Sequence, residues 1–274
     1  MSTDRTIDLD GLKLSQKTLI RVDGGRQRVV RTGDTGPTVV LLHGYADSWR
    51  SFEGMVAPLS AEFRLILPDQ RGHGDSDPGE SYSVGDFVAD AVLVIEALAA
   101  AQVALLGHSL GGIVAQRIAA ARPDLVSHVI LIGTAPSAAG HADIQSLADQ
   151  LDGYKTEVPA EVIAEFQTGT AFTPLPAPRL ATILEESAKL SLGAWQGTAH
   201  ALVDDPGPVP NRIEQPTLVF WGERDNIFDA GSQEALAQVL VNATHVHIPD
   251  VGHAPNWEVP AAVATEIATF LRAP

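Results

Sequence analysis

The chain has 274 residues, 45% of them hydrophobic, and 18 basic against 34 acidic side chains give a formal net charge of −16. That length suffices for one large α/β domain with a modest insertion. The acidic balance, interrupted by no basic stripe, repels phosphate backbones and anionic membranes, so no nucleic-acid partner is expected.

Cysteine is absent, which excludes disulfides, thiolate metal sites and a cysteine nucleophile together. Residues 1–10 are polar and acidic with no apolar core, and no run approaches the length of a membrane span. The expectation is a soluble, cytoplasmic protein without a membrane partner. No feature of the sequence assigns an oligomeric state.

In chain order, residues 17–22 and 27–32 flank Asp23-Gly24-Gly25-Arg26 and predict an antiparallel hairpin at a sheet edge. Beyond it, strand-like and helix-like patterns alternate, as in a parallel sheet with crossover helices. Strands are predicted near residues 38–42, 64–68, 103–107, 127–132, 217–221 and 244–248, with helices near 48–59, 83–99, 110–121, 231–239 and 257–271. Within 84–98, Phe87, Val88, Ala91, Val94, Ile95 and Leu98 fall on one helical face. The alternation stops between Thr134 and Asn211. There the stretches 144–151, 160–167, 180–190 and 194–202 are helix-like and are joined at prolines.

The most informative stretch is Gly107-His108-Ser109-Leu110-Gly111-Gly112, between the apolar run Val103-Ala104-Leu105-Leu106 and a helix-like segment. A serine on so sharp a strand-to-helix turn takes a strained backbone, and its neighbours must be nearly free of side chains for strand and helix to approach. The Leu110 N–H at the helix start is then available to negative charge developing on a substrate oxygen. Downstream, the strand-like Thr217-Leu218-Val219-Phe220-Trp221 leads into Gly222-Glu223-Arg224-Asp225, and residues 244–248 lead into Asp250-Val251-Gly252-His253. The chain order of reactive groups is Ser109, Asp225, His253.

This order resembles the α/β-hydrolase superfamily, whose nucleophile, acid and histidine follow successive strands of a parallel sheet. The likeness extends over nearly the whole chain. It includes His43-Gly44 after the strand 38–42, the turn Asp69-Gln70-Arg71-Gly72-His73-Gly74-Asp75-Ser76, and Trp257-Glu258-Val259-Pro260 after Gly252-His253. It implies an α/β-hydrolase fold: a mostly parallel eight-stranded sheet flanked by helices, with a helical cap inserted after the sixth strand. The core would comprise residues 1–134 and 211–274, and the cap residues 135–210. Helices packed beside the core are the alternative for that segment.

The resemblance assigns Ser109 as nucleophile, His253 as the base that takes its proton, and Asp225 as the group that orients the imidazole. The oxyanion would be held by the backbone N–H groups of Leu110 and Tyr45. Glu223 and Asp250 compete with Asp225 for the acid, whereas residues 133–140 contain no carboxylate. His43 is expected to support the oxyanion loop. His108 lines the elbow, and together with Phe166, Phe172, Trp195, Phe228 and Trp257 it is a candidate substrate contact. His245 and His247 share a strand face, but two ligands are too few for a metal site, and the chemistry requires no metal or organic cofactor.

The expected reaction is hydrolysis of a small-molecule carboxylic ester or lactone by water through an acyl-enzyme. C–C bond hydrolysis, cofactor-free haloperoxidase chemistry and a triad-retaining small-molecule receptor are the alternatives. Epoxide hydrolases and haloalkane dehalogenases need a carboxylate where Ser109 stands.

Overall fold

The computed structural model describes residues 16–22, 25–209 and 212–273. The polar start at 1–10, the Asp23-Gly24 half of the expected hairpin turn and the 210/211 cap boundary lie outside the described residues. Strands β1 (Gln16–Val22), β2 (Gly25–Thr32), β3 (Thr38–Leu42), β4 (Arg64–Pro68), β5 (Val103–His108), β6 (Val126–Ile132), β7 (Thr217–Gly222) and β8 (Ala243–Ile248) form one sheet in the order β1-β2-β4-β3-β5-β6-β7-β8. The β1–β2 and β2–β4 pairings are antiparallel and the others parallel. The sheet is therefore mostly parallel and eight-stranded, with the hairpin at one edge.

The central strands are apolar throughout because both faces are covered. Side chains alternate along each strand, so Val40, Leu42, Leu105, Val129, Leu131 and Val219 enter one core. Their neighbours Val39, Leu41, Leu106, Ile130, Ile132 and Phe220 enter the other. The first face is covered by α2 (Val84–Leu98), α3 (Leu110–Ala121) and the later helix α8 (Ala230–Val239). The second is covered by α1 (Glu53–Ser60) and the C-terminal helix α10 (Pro260–Arg272). Helix α2 begins with a reciprocal cap: Ser83 Oγ accepts from the Asp86 N–H and the Asp86 carboxylate accepts from the Ser83 N–H.

Two predicted helices are divided. In place of one helix over 48–59, a 3₁₀ turn at Trp49–Phe52 precedes α1. The Trp49 N–H there is held by the buried Asp69 carboxylate at 2.8 Å. At the C-terminus, α9 (Pro255–Glu258) ends at Val259, which has φ −135° and ψ 49°, before Pro260 opens α10. Proline donates no hydrogen bond and disfavours helical geometry in the residue before it.

Between β6 and β7 the chain forms α4 (Ala142–Asp152), α5 (Ala160–Gly169), α6 (Ala177–Ser187) and α7 (Leu192–Val203), with no strand among the described residues. Prolines mark the starts: Pro159 and Pro176 are the residues preceding α5 and α6.

Candidate active site

Ser109 sits between the end of β5 and the start of α3 with φ 52° and ψ −119°, a left-handed conformation that costs a non-glycine residue about 1–3 kcal/mol. The surroundings enforce it. A Cβ on Gly107 would lie 2.2 Å from the Gly111 carbonyl oxygen, and one on Gly111 would lie 2.1 Å from that of Leu42. Strand β3, the elbow and α3 therefore meet backbone to backbone. Gly111→Ala is expected to cost about 3 kcal/mol or more, since main chain rather than a flexible side chain must yield. In thermal unfolding this corresponds to a fall of roughly 6–12 °C for a chain of this size, and an unchanged Tm would show that the approach is not so close.

His253 follows β8, and its Nδ1–H donates to the Asp225 carboxylate, with distances of 3.1 Å to Oδ1 and 3.0 Å to Oδ2. That bond fixes the proton on Nδ1 and leaves Nε2 as an acceptor. Asp225 is buried. Burial alone would raise its pKa, but the electrostatic attraction and hydrogen bond of His253, with the N–H groups of Phe228 and Ile227, hold it below the ordinary value of 3.8. Both of those N–H groups donate to Oδ1, each at 2.9 Å. The competing acids lie elsewhere: Glu223 is exposed, and exposed Asp250 pairs with Arg224 at 3.3 Å.

The histidine is also held through its main chain. Its N–H donates to the Thr170 carbonyl at 2.9 Å, and its own carbonyl accepts from His108 Nε2 at 3.2 Å. Ser109 and His253 line one narrow cavity of about 50 Å³. Among the described residues no hydrogen bond joins the Ser109 hydroxyl to His253, as is common before substrate tightens such contacts.

The loop after β3 closes the opposite side. His43 Nδ1–H donates to the Gly44 carbonyl at 2.8 Å and Nε2 accepts from the Gln70 N–H at 2.9 Å. Burial depresses its pKa well below 6.5, so the ring is neutral, in keeping with a supporting role. A Cβ on Gly44 would be 3.2 Å from Ser109 Cβ, so the main chain immediately before Tyr45 passes beside the elbow. Leu110, as the first residue of α3, has an N–H without an intrahelical acceptor. The Tyr45 hydroxyl donates to the Trp195 carbonyl at 2.6 Å.

Of the aromatic candidates, Phe166, Phe228 and Trp257 line the cavity, as does His108. The structure does not bring Phe172 or Trp195 into it. Phe172 is 51% exposed beneath the Arg224 guanidinium, and Trp195 is wholly buried behind Tyr45 and Phe166. Residues that sequence reasoning missed are Asp47, Ile144, Leu147, Gln167, Thr170, Leu202 and Ile227.

Gln167 carries the clearest signal in retrospect, an uncharged polar side chain on a helix that packs inward. It is 1% exposed, and its Nε2 donates to the Ala46 carbonyl at 3.1 Å and to Ser187 Oγ at 2.6 Å. Ala46 has φ 59°. Helices α5 and α6 thus fix a strained residue of the loop that bears Tyr45.

Outside this cavity, a chamber of about 400 Å³ is bordered by Ile144, Leu147, Phe166, Thr170 and Ile227, which line both spaces, and by Asp143 and Glu165. Arg71 and His73 serve the turn after β4. Arg71 pairs with buried Asp90 at 2.7 Å, and His73, lowered by burial to a pKa of about 4, donates from Nδ1 to the Arg71 carbonyl. No helix among the described residues is long and apolar enough to cross a membrane.

Residues 37–260 match the family model of the alpha/beta hydrolase fold. Over 271 residues the chain is 29% identical to a 2-(acetamidomethylene)succinate hydrolase of Mesorhizobium japonicum, covering 92% of this chain and 95% of the relative. It is 32% identical over 239 residues to a pimeloyl-[acyl-carrier protein] methyl ester esterase of Chromobacterium violaceum, with 82% and 91% covered. An esterase from Exiguobacterium antarcticum shares the fold with a TM-score of 0.85 at 22% identity, over 94% of this chain and 100% of that one. Because the family model matches well over half of its residues, this chain belongs to the α/β-hydrolase family.

Proposed function

We propose that this protein hydrolyses carboxylic esters or lactones through an acyl-enzyme on Ser109, with His253 as general base and acid and Asp225 as its orienting carboxylate. The observation that carries this reading is the placement of strained Ser109 in the same cavity as His253, whose Nδ1–H is committed to a buried carboxylate. In the first step His253 Nε2 takes the Ser109 proton while Oγ bonds to the substrate carbonyl carbon. The resulting oxyanion faces the N–H groups of Tyr45 and Leu110, each donor worth about 3 kcal/mol in the transition state. Collapse expels the alkoxide, which takes the proton from His253. Water, deprotonated by the same nitrogen, then releases the carboxylic acid and restores Ser109.

Helices α4–α7 act as the cap in this scheme, with 135–210 as the cap and 1–134 with 211–274 as the core. Supporting this are the cap side chains Ile144, Leu147, Phe166 and Leu202, which share the cavity lining with Ser109. A cap that excludes water strengthens the electrostatic interactions beneath it and shapes the space for the acyl chain.

Phe166→Ala is expected to shift the ratio of kcat/KM between short and long p-nitrophenyl esters by about 10-fold or more, a well-buried contact being worth about 1–3 kcal/mol. Phe172→Ala should leave that ratio within about twofold, because the ring lies outside the cavity. Equal profiles for Phe166→Ala and the wild type would remove the assignment of α5 to the substrate channel.

A further inference from the structure

Asp47 is a buried carboxylate, 4% exposed, on the cavity wall, and among the described residues no donor hydrogen-bonds to it. His108 Nδ1, itself buried without a partner, stands 3.6 Å from Asp47 Oδ2. A Cβ placed on Gly44 would be 3.0 Å from His108 Nδ1, 3.2 Å from Ser109 Cβ and 3.4 Å from Asp47 Oδ2, so the three side chains converge beside the nucleophile.

His108 Nε2–H is already donated to the His253 carbonyl. Nδ1 of the neutral ring therefore points a lone pair at the carboxylate, and two acceptors this close repel unless one proton lies between them. Burial raises the Asp47 carboxyl and lowers the His108 imidazole, in each case against the charged form. The pair carries that single proton and is neutral overall. Oδ1 has no donor among the described residues, and a ligand in the cavity whose wall Asp47 forms can supply one.

The surroundings select the ligand by charge. Among the described residues neither the cavity nor the outer chamber is lined by a lysine or arginine, the Arg179 guanidinium that acts on Asp47 being held outside both by Glu53 and the Ser51 carbonyl, and the chamber adds Asp143 and Glu165. A substrate carboxylate would lose its hydration there without gaining a cation.

Resting on the ester-hydrolase reading of Ser109, we propose that Asp47 determines specificity by accepting a hydrogen bond from a hydroxyl or amide N–H of an uncharged substrate, and that the site discriminates against substrates bearing a carboxylate. Asp47 touches substrate away from the reacting bond, while His108 acts as a positioning residue through Asp47 and the His253 main chain.

The test compares p-nitrophenyl butyrate with its 2-hydroxy and 3-hydroxy derivatives and with p-nitrophenyl hemisuccinate, using the full chain. The better hydroxy ester is expected to exceed butyrate in kcat/KM by about tenfold, as one hydrogen bond to an otherwise unpaired acceptor allows, with hemisuccinate lowest. In Asp47→Leu the hydroxy-to-butyrate ratio should fall to about one or below.

Calorimetric Kd values for the same esters in Ser109→Ala, with and without Asp47→Leu, read the subsite without turnover. Absence of hydrolysis in the wild type would count against the hydrolase reading, while the Kd ratio would still decide the role of Asp47. If Asp47→Leu does not fold, Asp47→Ala, which also removes the acceptor, must lower the ratio to about one. A ratio of one in the wild type, a ratio unmoved by substitution at Asp47, or preference for hemisuccinate over butyrate overturns the proposal.

Discussion

Replacing Ser109 by alanine is expected to lower ester turnover by about four orders of magnitude or more while leaving the protein folded. Alanine is the mildest change available there. It keeps a Cβ where one already exists, so the close approach of Gly107 to Gly111 and of Gly111 to Leu42 is undisturbed, and only the hydroxyl is lost. The left-handed φ of 52° is no easier for alanine than for serine, so Tm should move by no more than a few degrees. Residual activity near a tenth of wild type, in a folded variant, would place the nucleophile elsewhere.

Asp225→Asn should depress turnover by roughly 10³–10⁴-fold through a change of tautomer. Oδ1 of Asp225 accepts from the N–H groups of Ile227 and Phe228, and Oδ2 lies 3.0 Å from His253 Nδ1. An asparagine must keep its carbonyl oxygen on the two backbone donors, which aims its amide N–H₂ at the imidazole. Nδ1 then becomes the acceptor, the ring proton moves to Nε2, and the nitrogen facing the cavity can no longer take a proton from Ser109. Glu223→Gln and Asp250→Asn should change turnover by less than about threefold, as exposed sites outside the cavity generally do.

A stability measurement gives an independent check on Asp225. Its folded pKa lies below the ordinary 3.8, so its ionised form stabilises the fold above that pH, and the contribution is lost as pH falls through the depressed value. The Tm gap between wild type and Asp225→Asn should therefore narrow below about pH 4. A gap that widens under acid would reverse the assigned direction.

Much of the fold was legible because parallel strands covered on both faces leave unbroken apolar runs, and Thr38–Leu42, Arg64–Pro68 and Val126–Ile132 fall within a residue of where those runs predict them. The positions of Ser109, Asp225 and His253 were legible for a related reason: each follows the C-terminal end of a strand in a short loop, so placing the strand places the residue. Cavity walls obey no such local rule. Phe172 and Trp195 belong to the same class of residue as Phe166, yet one lies on the surface and the other behind the wall. Which of them meets substrate depends on how α4–α7 pack over the sheet, a matter of contacts between residues distant in sequence. Asp47 was overlooked because only the turn at Gly44 brings its carboxylate to Ser109 and His108. The break at Val259 was missed, with one helix predicted over 257–271, although Pro260 carries the signal, since proline disfavours helix in the residue before it.

The measurement that bears most directly on the central claim is covalent labelling with an alkyl fluorophosphonate, read by mass spectrometry alongside residual activity. Phosphorus would bond to the one oxygen made nucleophilic by a neighbouring base. The expected result is a single adduct per chain, on the peptide containing Ser109, formed in step with loss of ester hydrolysis and absent from Ser109→Ala. An adduct on another serine, or full ester turnover by a protein that resists the reagent, would contradict a nucleophile at Ser109.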